Sequence, residues 1–429
     1  MLIIGGGPGG YETAVEAAKR GLEVTLISEG PLGGTCLNEG CIPTKTMCHY
    51  AELIEQNIKA GMNCRPSVVT MVEHRQAVME QLRRGVEMML KGVQVVQGRA
   101  QFKDAKTVVC NGQEFTADKI IIATGSVSAS LPIPGAESCL TSKEILDLKE
   151  VPESLCVIGG GVIGLEFASI FRSFGSEVTV LEFCPNILPR FDVDLAKRLK
   201  QSLSRRGINI EVQAQVTRID GNTVTYIKKD KEFTVLADKV LMAVGRRPNV
   251  DGLNLEAAGI DYTRKGITVN DRFETSVPGI YAVGDVTGGI MLAHAATYQG
   301  LRALNSICGQ TDSIRFDLIP AAVFTIPEVA TIGLTEEQCK EQELEVRCLK
   351  SFYRANGKAV SMDETDGYCK VIVDNEGKVL GAHIMGAHSS DLIHEIAAAM
   401  NLGATLDKLQ SVIHSHPTLS EVLQSAIHQ

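Results

Sequence analysis

A glycine pattern that occurs twice constrains the fold more than any other feature of this chain. Each copy has an apolar stretch that predicts a strand, then the spacing GxGxxG, then a helical pattern and a second apolar strand. The first copy begins at Leu2 and has its second strand at 24–27, and the second copy has strands at 155–158 and 178–181. The glycines are Gly5, Gly7 and Gly10 in the first copy and Gly159, Gly161 and Gly164 in the second. Because two ordinary glycine turns would not need the same spacing, the copies indicate a duplicated unit.

The duplicated unit is typical of dinucleotide binding, because each glycine has a separate task. The first glycine makes a tight turn, the second lets the backbone approach a pyrophosphate, and the third lets helix and strand pack closely. Each copy also has a later apolar strand that ends in a small-residue turn, over 120–126 and 240–249, so the repeat covers whole domains. Two sites on one chain imply two dinucleotides, most simply a tightly held FAD and an exchanging nicotinamide nucleotide.

The residue at the end of each second strand distinguishes the two sites. Glu182 lies 18 residues after the last glycine of its copy, where a carboxylate can accept a hydrogen bond from a ribose hydroxyl, and no Arg or Lys follows until Arg190. This favours NAD over NADP in the second unit, although Glu182 would also suit a solvated strand end. Ser28 has the corresponding position in the first unit. The adjacent Glu29 is therefore the candidate ribose ligand there.

A pair of cysteines, Cys36 and Cys41, follows the first unit in the segment LGGTCLNEGCIPTK, which ends at Lys45. The CxxxxC spacing is wrong for a CxxC zinc half-site, no second pair completes one, and no metal is expected. Gly40 and the glycines before Cys36 permit close turns, and the cationic Lys45 favours a thiolate. Two buried structural cysteines are the alternative.

This segment resembles the active-site signature of the pyridine nucleotide–disulfide oxidoreductases. The resemblance implies that Cys36 and Cys41 form a redox disulfide against the flavin, with Cys36 meeting the substrate and Cys41 nearest the flavin. It also implies that Lys45 pairs with Glu166 near the flavin. An ordinary surface charge pair is the alternative for these two residues.

The resemblance continues to the end of the chain. Asp285 resembles the family aspartate that binds the ribityl chain, and His294 lies in the stretch that continues under the flavin, although a satisfied core histidine is the alternative. In HPTLSE, His416 resembles the family base and Glu421 its orienting partner; histidine suits this task because its ordinary pKa of about 6.5 allows proton transfer near neutrality. In the family this segment reaches the disulfide of the partner subunit, which implies a homodimer. His414 is left unassigned.

Together these motifs define the expected cofactor contacts. The FAD contacts are expected from Gly5, Gly7, Pro8, Gly9, Gly10, Glu29, Gly34, Thr35, Lys45, Ala100, Thr124, Gly125, Ser126, Asp285, Met291, Leu292, Ala293 and His294. The NAD contacts are expected from Gly159, Gly161, Val162, Ile163, Gly164, Glu182 and Gly245.

The fold class predicted from these motifs is α/β, with two Rossmann-like nucleotide-binding domains and a C-terminal α+β interface domain. The NAD domain is expected to be inserted within the FAD domain. The boundaries are 1–148 for the first part of the FAD domain, 149–272 for the NAD domain, 273–317 for the central part of the FAD domain and 318–429 for the interface (dimerisation) domain. Alternating strands at 370–373 and 379–385 and a helix at 391–401 are predicted in the last of these.

Among members of the family, the CLNxGCIPTK wording most resembles enzymes that oxidise protein-bound dihydrolipoyl groups with NAD+, which implies lipoyl-bearing partner proteins. The alternatives are a glutathione-reductase-like enzyme, an NADH oxidase or soluble transhydrogenase, and a non-catalytic flavoprotein subunit. The net charge of −9 disfavours nucleic-acid binding. No apolar run approaches the ~18 residues that a membrane span needs, and a cytoplasmic location is expected.

Overall fold

A computed structural model describes residues 1–62 and 66–429 of the chain. The first of its sheets contains five parallel strands and corresponds to the first glycine copy. In spatial order they are Ile280–Ala282, Ile120–Ile122, Leu2–Ile4, Thr25–Ser28 and Gln94–Gln97. The strand predicted at 24–27 thus lies one residue further along. The edge strand at 280–282 brings the chain back to this sheet after the second glycine copy.

The second sheet repeats this plan with four parallel strands. In spatial order they are Ile208–Val212, Glu177–Glu182, Ser154–Ile158 and Lys239–Met242. Smaller antiparallel sheets join Ala100–Phe102, Thr107–Cys110 and Gln113–Thr116, join Gln215–Asp220, Thr223–Lys228 and Lys231–Leu236, and join Tyr262–Thr263 to Gly266–Ile267. The strand Ser126–Ser128 of the first unit pairs with Arg246–Pro248 of the second. The two units are therefore in contact just after the small-residue turns that end their later apolar strands.

The C-terminal part of the chain forms a five-stranded antiparallel sheet. Its order is Ala321–Val323, Val329–Gly333, Val379–Met385, Tyr368–Asp374 and Val346–Phe352. The predicted alternation of buried and exposed residues is wrong for Tyr368–Asp374. Every residue of this strand except Asp374 is buried, so both faces of the strand are covered. The buried set includes Lys370, whose ammonium group is fully enclosed. The predicted helix at 391–401 begins two residues earlier, as Ser389–Asn401.

Helices cover the sheets and connect their strands. They are Pro8–Lys19, Gly34–Glu39, Cys41–Lys59, Val68–Met89, Val162–Phe174, Val193–Arg205, Ala293–Ile307, Glu336–Glu341, Gly357–Ser361, Ser389–Asn401, Leu406–Gln410 and Glu421–Ile427. The helices that begin at Pro8 and Val162 start directly after the middle glycines of the two turns. Proline suits the first turn of a helix, because the missing N–H would have no partner inside the helix. Both glycine turns therefore present free backbone amides at a helix N-terminus.

The predicted α/β fold class is confirmed, while the exact domain boundaries remain predictions. Within 1–62 and 66–429, no helix combines the length and the apolar character needed to cross a membrane. The same residues contain no group of three or more His, Cys, Asp or Glu side chains arranged to hold a metal ion.

Candidate active site

The outer glycines of the two turns have the same packing roles. Gly5 and Gly159 have φ values of 117° and 111°, which side chains rarely adopt. A Cβ at either residue would collide with a carbonyl oxygen at the end of a neighbouring strand, of Ala123 and Ala243 respectively. A Cβ on the third glycine of each turn would in turn collide with the carbonyl oxygen of the first. These glycines are therefore required for the close approach of helix and strand.

The middle glycines, in contrast, have open space beside them. No heavy atom lies within 4 Å of a Cβ built on Gly161, and the nearest atom to one on Gly7 is the Cα of Gly34, at 3.9 Å. Both glycines immediately precede a helix N-terminus, where free amides and the helix dipole favour a phosphate. The two turns thus fit the pyrophosphates of two dinucleotides.

A continuous cleft of about 2880 Å³ runs along both units. Nearly all of the residues predicted to contact FAD or NAD line it, together with Cys36, Cys41 and Glu166. The exceptions among the cofactor residues are Gly10 and Gly164, which are buried between helix and strand. Since single drug-sized ligands occupy pockets of about 300–1,000 Å³, the cleft is large enough for two dinucleotides.

The redox pair lies where two helices meet. Cys36 is on the short helix Gly34–Glu39, and Cys41 begins the helix Cys41–Lys59 after the single residue Gly40. A hydrogen bond from Cys36 lowers the pKa of Cys41 to about 7; burial opposes this change and the Lys45 cation supports it. The same bond and burial raise the pKa of Cys36. In the reduced pair, Cys41 is therefore the more acidic thiol, and Cys36 holds its proton more tightly.

Lys45 and Glu166 are in direct contact. The Lys45 Nζ atom lies 2.9 and 2.8 Å from the two Glu166 carboxylate oxygens. The Glu166 side chain is only 6% exposed, so the pair is not an ordinary surface charge pair. Its Oε1 atom also accepts the backbone N–H of Phe324 at 3.0 Å, and Nζ lies 4.3 Å from the centre of the Phe324 ring. Burial alone would lower the pKa of Lys45, but Glu166 and nearby thiols raise it, so a cation is maintained beside Cys41.

The ends of the two second strands are not chemically equivalent. The Glu182 carboxylate is buried and accepts the backbone N–H groups of Gly160 and Cys184, at 2.5 and 2.6 Å. In the first unit, Ser28 Oγ donates to the carbonyl oxygen of Gly30 at 2.8 Å, whereas Glu29 is exposed and lines the cleft. In the first unit the carboxylate that faces the cleft therefore lies one residue after the position that corresponds to Glu182.

Sequence reasoning missed Arg246, which connects the two units. Its Nε atom donates to Ser126 Oγ at 2.7 Å, and Ser126 Oγ donates to Asp285 Oδ2 at 2.5 Å. The neighbouring Arg247 is exposed and pairs with Asp251 at 2.9 Å. Because the two arginines are adjacent on a strand, they point to opposite faces, and this alternation is the signal that could have identified Arg246.

The C-terminal histidines occupy different environments. His416 Nδ1 lies 2.9 Å from Glu421 Oε1, and Glu421 Oε2 accepts the Thr418 N–H at 2.8 Å. The hydrogen bond from the Thr418 N–H has the largest effect on Glu421 and lowers its pKa, and the hydrogen bond with His416 lowers it further. Glu421 therefore stays a carboxylate. His416 is 78% exposed, and within the described part of the chain neither it nor Glu421 lines the cleft. The His414 side chain is only 4% exposed, and its Nε2 atom lies 2.9 Å from Glu395 Oε1.

His294 lies at the cleft and not in the core. Its side chain is exposed, and Nε2 lies 2.9 Å from the carbonyl oxygen of Pro320. The alternative of a satisfied core histidine is therefore wrong. Met291, Leu292 and Ala293 precede it along the same wall.

Comparison with known proteins agrees with this geometry. The family model of the pyridine nucleotide-disulphide oxidoreductases matches residues 1–300, and the model of their dimerisation domain matches residues 319–427. A dihydrolipoyl dehydrogenase of Bacillus subtilis is 40% identical over 446 residues, which cover 100% of this chain and 97% of the relative. One from Geobacillus stearothermophilus is 41% identical over 445 residues, with coverages of 99% and 94%.

Two solved structures share the whole fold. The HOCl-induced flavoprotein disulfide reductase RclA from Escherichia coli has a TM-score of 0.90 and 33% identity, and the match covers 100% of this chain and 99% of that one. LpdA from Mycobacterium tuberculosis has a TM-score of 0.90 and 30% identity, with coverages of 100% and 98%.

The chain therefore belongs to the pyridine nucleotide–disulphide oxidoreductase family. It carries the dimerisation domain of that family. The predicted enzyme class, an FAD-dependent and NAD-linked disulfide oxidoreductase, is confirmed.

Proposed function

We propose that this chain oxidises protein-bound dihydrolipoyl groups and reduces NAD+, as the flavoprotein component of 2-oxo acid dehydrogenase or glycine-cleavage complexes. The observation that carries the proposal is the place of the thiol pair: Cys36 and Cys41 line the same cleft as the two dinucleotide cradles and Lys45. The lowered pKa of Cys41 supports it. The full-length relatives named dihydrolipoyl dehydrogenase support the choice of a dihydrolipoyl substrate.

The first chemical step needs a base. The Glu421 carboxylate holds Nδ1 of His416, which leaves Nε2 free to take a proton from a substrate thiol and lets the carboxylate stabilise the imidazolium. The resulting substrate thiolate attacks Sγ of Cys36 in the Cys36–Cys41 disulfide. The S–S bond breaks and Cys41 leaves as a thiolate, a departure that its low pKa favours.

The second step completes the transfer of two electrons. The remaining substrate thiol attacks the substrate sulfur that is bonded to Cys36, which closes the substrate disulfide and releases Cys36, protonated as a thiol. The substrate has then lost two electrons and the cysteine pair has gained them. When bound, FAD supplies the two-electron carrier between this pair and NAD+. The Lys45 cation favours the Cys41 thiolate from which those electrons leave.

A homodimer is part of the proposal, because the thiol pair and the base lie in different places on one chain. Cys36 and Cys41 line the cleft, whereas His416 and Glu421 belong to the dimerisation domain and lie away from the lining. A second copy that places its His416 beside Cys36 would complete the site. The high exposure of His416 in a single chain agrees with this arrangement.

We assign the nucleotides to the two units on the basis of their strand ends. The Glu182 carboxylate would repel a 2′-phosphate, which favours NAD over NADP in the second unit. Asp285, bonded through Ser126 to Arg246, would hold the ribityl chain of FAD in the first unit. The lipoyl-bearing partner proteins and a cytoplasmic location remain parts of the proposal.

The assay that tests the proposal follows NAD+ reduction by dihydrolipoamide with purified, FAD-loaded protein. We expect turnover by the wild-type chain, none by Cys36→Ser, and a large loss with His416→Ala. A protein that does not bind FAD, or one whose activity survives Cys36→Ser, would contradict the mechanism. Appreciable turnover with NADPH and glutathione disulfide would instead favour a glutathione-reductase-like enzyme. FAD binding without either turnover would indicate a non-catalytic flavoprotein.

A further inference from the structure

The segment 183–192, here called the NAD loop, follows the strand that ends at Glu182. Six of its residues line the cleft: Phe183, Cys184, Leu188, Pro189, Arg190 and Phe191. The Leu188 N–H donates to the carbonyl oxygen of Gly160 at 2.9 Å, so the loop rests on the second glycine turn. Leu188 is buried and has a φ of 47°, a strained conformation that persists only where the surroundings fix it. The shape of this wall therefore depends on what holds the loop.

The end of the NAD loop is held from another part of the molecule. Asp192, its last residue, is fully buried and caps the helix Val193–Arg205 by accepting the Leu195 N–H at 3.2 Å. The same carboxylate lies 3.1 and 2.9 Å from Nζ of Lys370, which is on Tyr368–Asp374, an interior strand of the C-terminal sheet. Lys370 thus ties the loop to a sheet that lies outside the two nucleotide-binding units.

Lys370 is the buried centre of a balanced group of charges. Its side chain is 0% exposed, and Nζ also lies 3.3 Å from Asp194 and 2.7 Å from Glu336. Asp194 pairs with Lys350 at 3.1 Å and Glu336 with Lys340 at 2.8 Å, so three cations face three carboxylates. Removing one member of such a group leaves a buried charge without its partner, which forces the remaining groups to move or to change protonation. The position of Asp192 is therefore coupled to Lys370.

We propose that Lys370, although it lines no described part of the cleft, is a positioning residue for NAD+, because it fixes the end of the NAD loop. The inference rests on the function proposed above, in which the second glycine unit binds NAD+. It follows that the dimerisation domain contributes to nucleotide affinity through Asp192, without contacting the nucleotide.

The test measures NAD+ binding to FAD-loaded Lys370→Met by titration calorimetry. We expect the dissociation constant to rise roughly 3- to 30-fold, the range seen when residues couple to a site without touching its ligand. Reduction of the cysteine pair by dihydrolipoamide without NAD+ should keep the wild-type rate. Lys370→Met should lower the melting temperature in either case, because it leaves buried carboxylates without their partner; a merely structural role would also slow the reduction of the cysteine pair. A dissociation constant within about twofold of the wild-type value would overturn the proposal, as an affinity change this small falls below the coupling range.

Two further variants separate positioning from folding. Asp192→Asn with Lys370→Met removes one charge of each sign, so we expect recovered thermal stability but persistently weak NAD+ binding; recovered binding would show that only charge balance matters and would also overturn the proposal. Asp366→Asn is the matched control, since Arg205 at the far end of the same helix pairs with Asp366 at 2.7 Å. Equal weakening by Asp366→Asn would contradict a specific role of the loop. A wild-type chain that binds no NAD+ would refute the proposed function itself.

Discussion

Replacing Gly161 by alanine should separate nucleotide binding from folding. Gly161 has φ −81° and ψ −173°, which any residue adopts, and an added Cβ meets no protein atom within 4 Å. We therefore expect the free energy of unfolding to change by no more than about 0.5 kcal/mol. The methyl group would, however, occupy the space through which a pyrophosphate approaches the helix amides. Loss of one charge-assisted hydrogen bond, about 1.5–3 kcal/mol, corresponds to NAD+ binding that is about 10- to 150-fold weaker.

The assay for Gly161→Ala combines NAD+ calorimetry, urea unfolding and the visible absorbance of bound FAD, which should stay unchanged. Gly164→Ala is the matched control, because its Cβ would collide with the carbonyl oxygen of Gly159. Overpacking of this kind destabilises a protein by about 1–3 kcal/mol or more. Wild-type NAD+ affinity in Gly161→Ala would refute the assignment of the second turn. Destabilisation as severe as that of Gly164→Ala would refute the packing argument.

Three further predictions concern the thiols, the dimer and the flavin. Lys45→Met removes the cation that helps to lower the pKa of Cys41. Alkylation of Cys41 in the reduced protein at pH 7 should therefore slow by about 3- to 10-fold, on the order of 1 kcal/mol. An alkylation rate with the same dependence on pH as in the wild type would contradict this effect of Lys45. Chains carrying Cys36→Ser and chains carrying His416→Gln should each be inactive alone, but their mixed dimers should regain about half of the wild-type activity, since one of two symmetric sites is intact; no recovery would exclude a shared site. Glu29→Gln should weaken FAD rebinding to the apoprotein by roughly tenfold, the loss of one hydrogen bond to a charged group, whereas equal affinities would show that the exposed carboxylate does not hold the ribose.

Local patterns predicted the parts of the site that depend on neighbouring residues. The glycines of both turns and the strand ends at Ser28 and Glu182 could be read from the sequence, because turn geometry and strand period are local properties. The strand Thr25–Ser28 differed by one residue, which is the usual uncertainty at an element boundary. The contact between Lys45 and Glu166 spans 121 positions in the sequence and was reached only through family resemblance.

Features that depend on distant contacts were not predicted. Nothing local to Lys370 predicts its burial, which depends on Glu336 and on two carboxylates 176 and 178 positions earlier in the chain. Arg246 and Arg247 are adjacent and chemically alike, yet one faces Ser126 and the other faces solvent. In each case the fold of another unit decides the environment of the side chain: strand alternation indicates that the two arginines face opposite sides, but not which of them contacts Ser126.

The most direct test of the account maps which cysteines change when substrate electrons arrive. The oxidised, FAD-loaded protein is treated anaerobically with one equivalent of dihydrolipoamide in the absence of NAD+, alkylated at once, and analysed by peptide mass spectrometry. We predict new alkylation at both Cys36 and Cys41. In Cys36→Ser, Cys41 has no disulfide partner, so its labelling should be the same with and without dihydrolipoamide. Unchanged labelling of both residues, in a protein that still reduces NAD+ with dihydrolipoamide, would contradict the central claim that this pair carries the electrons.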